Sequence, residues 1–217
     1  MTIGADQQTP PLPVATEAAF RVALARQPAG LDIGRVARLR VWGAALAVWS
    51  ALYAIAHVYW ALGGRAGFSL LKPSATELER WEEINAIASV VLLVPVGLAI
   101  GLVHLRGRPR PHRVLLVATL VGATIAASHG MYGIAYRVLN IVGVIDIEGQ
   151  SFELSTHPWV VWDLVLFEPW FLLEGILFVG VGRASLASAR DRRRWLLACC
   201  IGIAAATVVG LLGVRVG

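Results

Sequence analysis

Three acidic residues lie within one apolar stretch of the chain, between residues 158 and 182: Asp163, Glu168 and Glu174. Removing a carboxylate from water disfavours its charged form, so a buried acid of this kind is suited to donate a proton. Glu168 is followed by Pro169, which frees a backbone carbonyl and kinks a helix. We therefore expect Glu168 to be the functional centre, as a neutral general acid, and Glu174 to be a neutral packing residue.

Two histidines are expected to lie at a similar depth to these acids. A rise of about 1.5 Å per residue places Asp163 roughly 8 Å below the outer edge of the membrane and Glu168 roughly 15 Å below it. On the same scale His57 lies about 8 Å and His129 about 10 Å below that edge. The sequence therefore predicts a catalytic layer made of Glu168, His57, His129 and Asp163.

Aromatic side chains recur at helical spacing beside these candidates and are expected to bind the substrate: Tyr53, Tyr59, Trp60, Tyr132 and Trp170. His57, Tyr59 and Trp60 fit the alternative of interface anchors equally well. His129 fits a hydrogen bond between packed helices equally well. The four candidate ligands show no metal-binding spacing, so we predict no metal and no cofactor.

The elements that must position these residues are membrane spans. The chain is 57% hydrophobic and 15% charged, with a mean hydropathy of +0.68, and its charges are clustered. A bilayer core takes roughly 20 apolar residues. We predict an all-α, polytopic transmembrane helix bundle of about five spans: Val41–Gly64, Ile84–Leu105, Val114–Tyr136, Pro158–Gly182 and Trp195–Val214.

The basic residues predict the orientation. The leader over residues 1–40 and the loops over 106–113 and 183–194 hold 14 Lys and Arg, against 5 in the alternating segments. The positive-inside rule then places the N-terminus in the cytoplasm and the C-terminus outside, in a multi-pass protein of the cell membrane. This placement explains the net charge of +5 without a nucleic-acid partner. The leader is expected to be cytoplasmic and partly disordered, ahead of a transmembrane domain over 41–217.

The fourth span must be sheltered by the others. Each central charge costs about 2.5–3.5 kcal/mol and each large apolar residue returns about 0.3–0.6, so insertion is barely favourable. No Lys or Arg falls inside any predicted span, which leaves Glu168 without a cation. In the fifth span Gly202, Ala206 and Gly210 are spaced by four residues and are expected to face another helix.

Two stretches of the sequence resemble a known family: HVYWALGG over 57–64 and FEPWFLLEGILF over 167–178. They are similar to the actinobacterial small membrane proteins grouped as domain of unknown function 3995. The likeness covers about residues 41–182 and excludes the leader and the fifth span. It implies membrane residence and supplies no substrate.

Three functions remain open at this point. The first is an enzyme acting on a lipid or isoprenoid, with Glu168 as the acid. The second is an accessory or structural membrane protein without turnover. The third is a small transporter or proton pathway, against which the absence of matching halves counts. Membrane lipid is the expected partner, and the oligomeric state is open.

Overall fold

The structure is a computed structural model that describes residues 33–66, 75–106, 108–144 and 161–213 of the 217-residue chain. These residues form helices and turns and contain no strand. The helices are α1 Ile33–Ala61, α2 Ala75–Val91, α3 Val94–His104, α4 Pro109–Ile141, α5 Glu168–Ser185 and α6 Ala189–Gly213. A π-helical turn, Asp163–Phe167, leads directly into α5.

Five helical segments are long and apolar enough to cross a membrane, which confirms the predicted all-α fold of five spans. They are Ile33–Ala61, Leu78–His104, Pro109–Leu139, Asp163–Ser185 and Ala189–Gly213. The predicted leader lies outside the described residues as far as residue 32, and its last residues already belong to α1.

The second span consists of two helices because of Pro95. A proline has no N–H for the i→i−4 bond, and its ring crowds the preceding turn. Helix α2 accordingly ends at Val91, and α3 begins at Val94 with Pro95 in its first turn. The N–H of Gly97 resumes the ladder by bonding to the carbonyl of Leu93 at 3.2 Å.

Helix α4 is longer than predicted at both ends, and this overturns one expectation. It continues to Ile141, so Arg137 lies inside the candidate span Pro109–Leu139 and not in a loop. The predicted end of this helix at Tyr136 was therefore too early. The physical reason is that arginine favours a helix, so the charge that ended the apolar count does not end the helix, and Arg137 is paired with Asp163.

Helix α5 lies at the centre of the bundle. It packs most extensively on α4, and it also contacts α1, while α6 lies against α4 at the edge. The α4–α5 contact is close: a methyl group added at Gly175 would lie 2.5 Å from the Cβ of Ala127. The buried core joins α1, α3 and α5 through Leu46, Leu102 and Val181.

The small residues of α6 face another helix, as predicted. A methyl group added at Gly202 would lie 2.8 Å from the hydroxyl oxygen of Thr124, and one at Gly210 would lie 3.0 Å from the ring of Tyr132. Both neighbours belong to α4. These two glycines therefore hold α6 against the bundle.

Candidate functional site

The π turn before α5 sets the position of Glu168. The backbone N–H of Glu168 bonds to the carbonyl of Asp163, five residues earlier, and Pro169 follows in the first turn of α5. A π turn adds one residue to a helical turn and is frequent at functional sites. The proline removes one N–H of the regular ladder, so the sequence itself favours a local change of helical register here.

Glu168 packs against a part of α4 where two glycines, Gly130 and Gly133, present no side chain. A methyl group at Gly133 would overlap the Glu168 carboxyl group, and one at Gly130 would lie 2.6 Å from the Glu168 carbonyl oxygen. Glycine at both positions therefore makes the space that the acid occupies. The Glu168 side chain is only 12% exposed.

The Glu168 carboxyl group lacks a direct hydrogen bond on one side. Its Oε2 lies 3.8 Å from Nε2 of His129, which exceeds hydrogen-bond distance. Among the described residues this buried oxygen has no hydrogen-bond partner. Buried polar atoms are normally satisfied, so an orphaned carboxyl oxygen marks a place where a ligand or water can bind.

Asp163, in contrast, is neutralised. Nε and Nη2 of Arg137 donate to Oδ2 of Asp163 at 3.2 and 2.5 Å. Both side chains are largely shielded, at 18% and 13% exposure. The structure thus binds this predicted catalytic residue to a cation, and the pair ties the π turn to the end of α4.

His57 belongs to a separate hydrogen-bond chain between α1 and α2. The amide nitrogen of Asn85 donates to the carbonyl of Trp81 at 2.6 Å, so its Oδ1 accepts from Nδ1 of His57 at 2.6 Å. The hydrogen on Nδ1 is assigned from this network. In the neutral ring, Nε2 of His57 then carries the lone pair, and this buried atom has no partner in the described part of the chain.

Phe171 stands between the two histidines. Its ring lies 4.3 Å from His129 on one side and 5.4 Å from Tyr53 on the other, and Tyr53 in turn lies 4.7 Å from His57. Trp170 packs beside Tyr53 at 5.1 Å. The predicted single layer is therefore two clusters: Glu168 with His129 between α4 and α5, and His57 with Tyr53 between α1, α2 and α5.

Of the other predicted substrate-binding aromatics, Trp60 packs on the His57 ring at 5.4 Å, while Tyr59 and Tyr132 make contacts elsewhere. The hydroxyl of Tyr59 accepts from the N–H groups of Arg65 and Ala66, both at 3.2 Å, and Trp60 donates to the carbonyl of Ala66 at 3.0 Å. These bonds hold the turn after α1. Tyr132 stacks on Tyr136 at 5.6 Å between ring centres and faces α6.

Glu174 has a partner that sequence reasoning missed. Ser50 of α1 donates to Oε1 of Glu174 at 2.5 Å, and both residues are buried. The signal was present in the spacing, because Ser50, Tyr53 and His57 share one face of α1 at intervals of three and four residues. Glu174 behaves as the packing residue that the sequence predicted, now with a specific hydrogen bond.

A groove of about 450 Å³ runs between α2, α3, α4 and α5. Its walls are almost entirely apolar, and the polar side chains in its lining are His129 and Glu174. Val91, Val94 and Ile125 line it and are more than half exposed, so the groove opens sideways at the bundle surface. A hydrocarbon chain suits such a lining. A chain bound in the groove would lie against His129.

No group of three or more His, Cys, Asp or Glu side chains in the described ranges is arranged to hold a metal ion.

One family model matches the chain over residues 50–178, more than half of its length, and is described as protein of unknown function (DUF3995). The match extends from Ser50 to Phe178 and so contains His129, Glu168 and Glu174. This finding confirms the resemblance identified from the sequence. Neither the curated proteins nor the solved structures give a significant match.

Proposed function

The chain therefore belongs to the DUF3995 family of proteins of unknown function, and we propose that it is an intramembrane acid–base enzyme acting on a lipid or isoprenoid. Glu168 is the proton donor and His129 is the acceptor beside it. The observation that carries this proposal is the lateral apolar groove, which leads to His129, 3.8 Å from the unpartnered oxygen of Glu168.

The pair supplies both halves of a proton-transfer cycle. A reaction that adds a proton at one position of a lipid and removes one at another needs a donor and an acceptor on the same site. A protonated Glu168 provides the first and a neutral His129 provides the second. At 3.8 Å the two groups make no hydrogen bond to each other, so each can bond to a group of the substrate.

The remaining predicted residues support the site from a distance. Phe171 separates His129 from Tyr53, so Tyr53 and His57 are positioning residues on this proposal. Asp163 with Arg137 anchors the π turn that presents Glu168. Trp170 stacks on Trp49 at 3.9 Å and fixes the first turn of α5 against α1.

A second candidate function is an accessory membrane protein without turnover. The observation in its favour is that two of the three acids are already satisfied, Asp163 by Arg137 and Glu174 by Ser50. A proton pathway is less well supported, because the groove past Glu174 has almost no polar lining. What separates the first two candidates is whether Glu168 exchanges its proton with a lipid.

Deuterium transfer from water to lipid tests the proposal. The protein is reconstituted in vesicles of unsaturated phospholipid, with and without a long-chain polyprenol, and incubated in D₂O. Mass spectrometry of the extracted lipids is expected to show deuterium in one of the two lipid classes with the native chain and none with Glu168→Gln. Absence of transfer by the native chain in both preparations supports the accessory function instead.

We also propose that the protein lies in the cell membrane with its N-terminus in the cytoplasm. The support is the concentration of arginines at the end where α1, α4 and α6 begin and α3 and α5 end. Reporter fusions after Arg110 and after Gly217 are expected to report cytoplasmic and external locations, respectively. A cytoplasmic signal at Gly217 would contradict this orientation.

A further inference from the structure

A second and larger cavity, about 1010 Å³, lies at the opposite end of the bundle from Glu168. It is enclosed where α1 and α4 begin and where α3 and α5 end, so four helices contribute to its walls. The floor is apolar and includes Leu39, Val103 and Leu116. None of its lining residues belongs to the groove or to the Glu168 cluster.

The walls of this cavity carry one sign of charge. The basic residues that line it are Arg35, Arg40, Arg106, Arg113, His104 and His112. No Asp or Glu is found among the described residues of its lining. An adjoining cavity of about 320 Å³ shares Arg35 and is lined by further arginines, again with no acid from the described part of the chain. Arg40, Arg106 and Arg113 face one concave space and together produce a focused positive potential.

His112 adds an observation that points to a ligand. His112 is one of the residues that line this cavity, and its Nε2 is covered by the protein and has no hydrogen-bond partner among the described residues. A buried ring nitrogen is normally satisfied by protein or by a bound group. The positive-inside rule explains arginines at this end of the molecule, but it explains neither a cavity nor an unsatisfied nitrogen in its wall.

We propose that this cavity binds a phosphate ester, held by Arg40 and Arg113 with a hydrogen bond to His112. The guanidinium group presents its donors in a fork that matches phosphate oxygens. The apolar floor accepts the adjoining carbon chain of an amphiphile. The phosphate belongs either to the headgroup of an anionic membrane lipid or to a soluble phosphate ester, and both offer the same recognised group.

A ligand-dependent melting experiment tests the proposal. The protein in uncharged detergent is titrated at constant ionic strength with short-chain phosphatidic acid, with inorganic pyrophosphate, and with diacylglycerol as the lipid without phosphate. We expect a saturable rise in melting temperature with at least one of the phosphate compounds and none with diacylglycerol. A rise with phosphatidic acid alone identifies a lipid headgroup, and a rise with pyrophosphate as well identifies the phosphate group itself.

Matched variants separate a site from a charged surface. Arg40 and Arg113 are exposed at the cavity mouth, so replacing both with Gln is expected to leave the fold intact and to raise the apparent Kd at least tenfold. Arg110→Gln with Arg193→Gln removes the same charge from exposed positions outside the cavity lining and is expected to leave the Kd within twofold. Equal loss in both double variants, or no saturable shift with either phosphate compound, would overturn the proposal.

Discussion

Glu168 and Glu174 lie six residues apart on α5, and their surroundings differ in every respect that matters for chemistry. Glu174 is 2% exposed, and its Oε1 accepts a hydrogen bond from Ser50. Glu168 is somewhat more accessible, and its Oε2 has no partner among the described residues. The more buried acid, Glu174, therefore has a hydrogen-bond partner. The more accessible acid, Glu168, retains an oxygen that can bond to another group.

The packing around the two acids differs in the same direction. Beside Glu174, a methyl group at Gly175 would meet the Cβ and the backbone nitrogen of Ala127 at 2.5 and 2.6 Å, and neither atom can move alone. Beside Glu168, a methyl group at Gly133 would meet the carboxyl end of a flexible side chain. Burial by itself thus does not identify a functional acid. On the proposed function, the acid with unsatisfied hydrogen-bonding capacity is the functional one.

The largest effect is expected at the rigid region. Gly175→Ala forces α5 away from the backbone of α4 and should lower the free energy of unfolding by about 3 kcal/mol, the upper part of the usual range for overpacking. Reversible denaturation in mixed micelles measures it. The control is Gly97→Ala, where an added methyl group has no neighbour within 4 Å and no loss is expected. Equal stability of the two variants would show that α4 and α5 can separate enough to admit the added methyl group at little cost.

A smaller effect is expected from the hydrogen bond itself. Ser50→Ala removes the donor to Glu174 and leaves the carboxyl group buried without it, which should cost about 1–2 kcal/mol. Ser128→Ala is the matched control, because among the described residues the Ser128 hydroxyl bonds only to the carbonyl of Ile125 within its own helix. If Ser50→Ala and Ser128→Ala have the same free energy of unfolding, the hydrogen bond contributes little to stability. Glu174 and Glu168 then differ less than their hydrogen bonds indicate.

The smallest effect on stability is expected at Glu168. Glu168→Gln keeps the shape of the protonated acid and removes no hydrogen bond at Oε2, so the free energy of unfolding should change by less than about 0.5 kcal/mol. Infrared spectra of the native protein should contain a protonated carboxyl band from Glu168 that disappears in this variant, while the band of the buried Glu174 remains. A loss above 2 kcal/mol, or no such band, would make Glu168 a structural acid like Glu174.

Glu168 could be chosen as the candidate functional acid from the local sequence alone. Glu168 is an acid in the middle of an apolar span and precedes a proline, and both facts are read from neighbouring residues. Arg137 was placed wrongly, because counting apolar residues ends a span at the first charge. Its ion-pair partner is Asp163, a residue 26 positions away. The role of Tyr132 stays a prediction, since its described contacts are with Tyr136 and α6.

The sequence by itself determined five apolar spans, a basic bias at alternate loops and an acid inside the fourth span, because length and composition are local properties of a helix. Only the tertiary structure decided which polar groups are satisfied. Ser50 and Glu174 meet across 124 positions of the chain, and Phe171 divides His57 from His129 although both were predicted at one depth. Depth is one coordinate of a bundle, and the rotation of each helix about its own axis, which decides partners, is set by the packing of all the others.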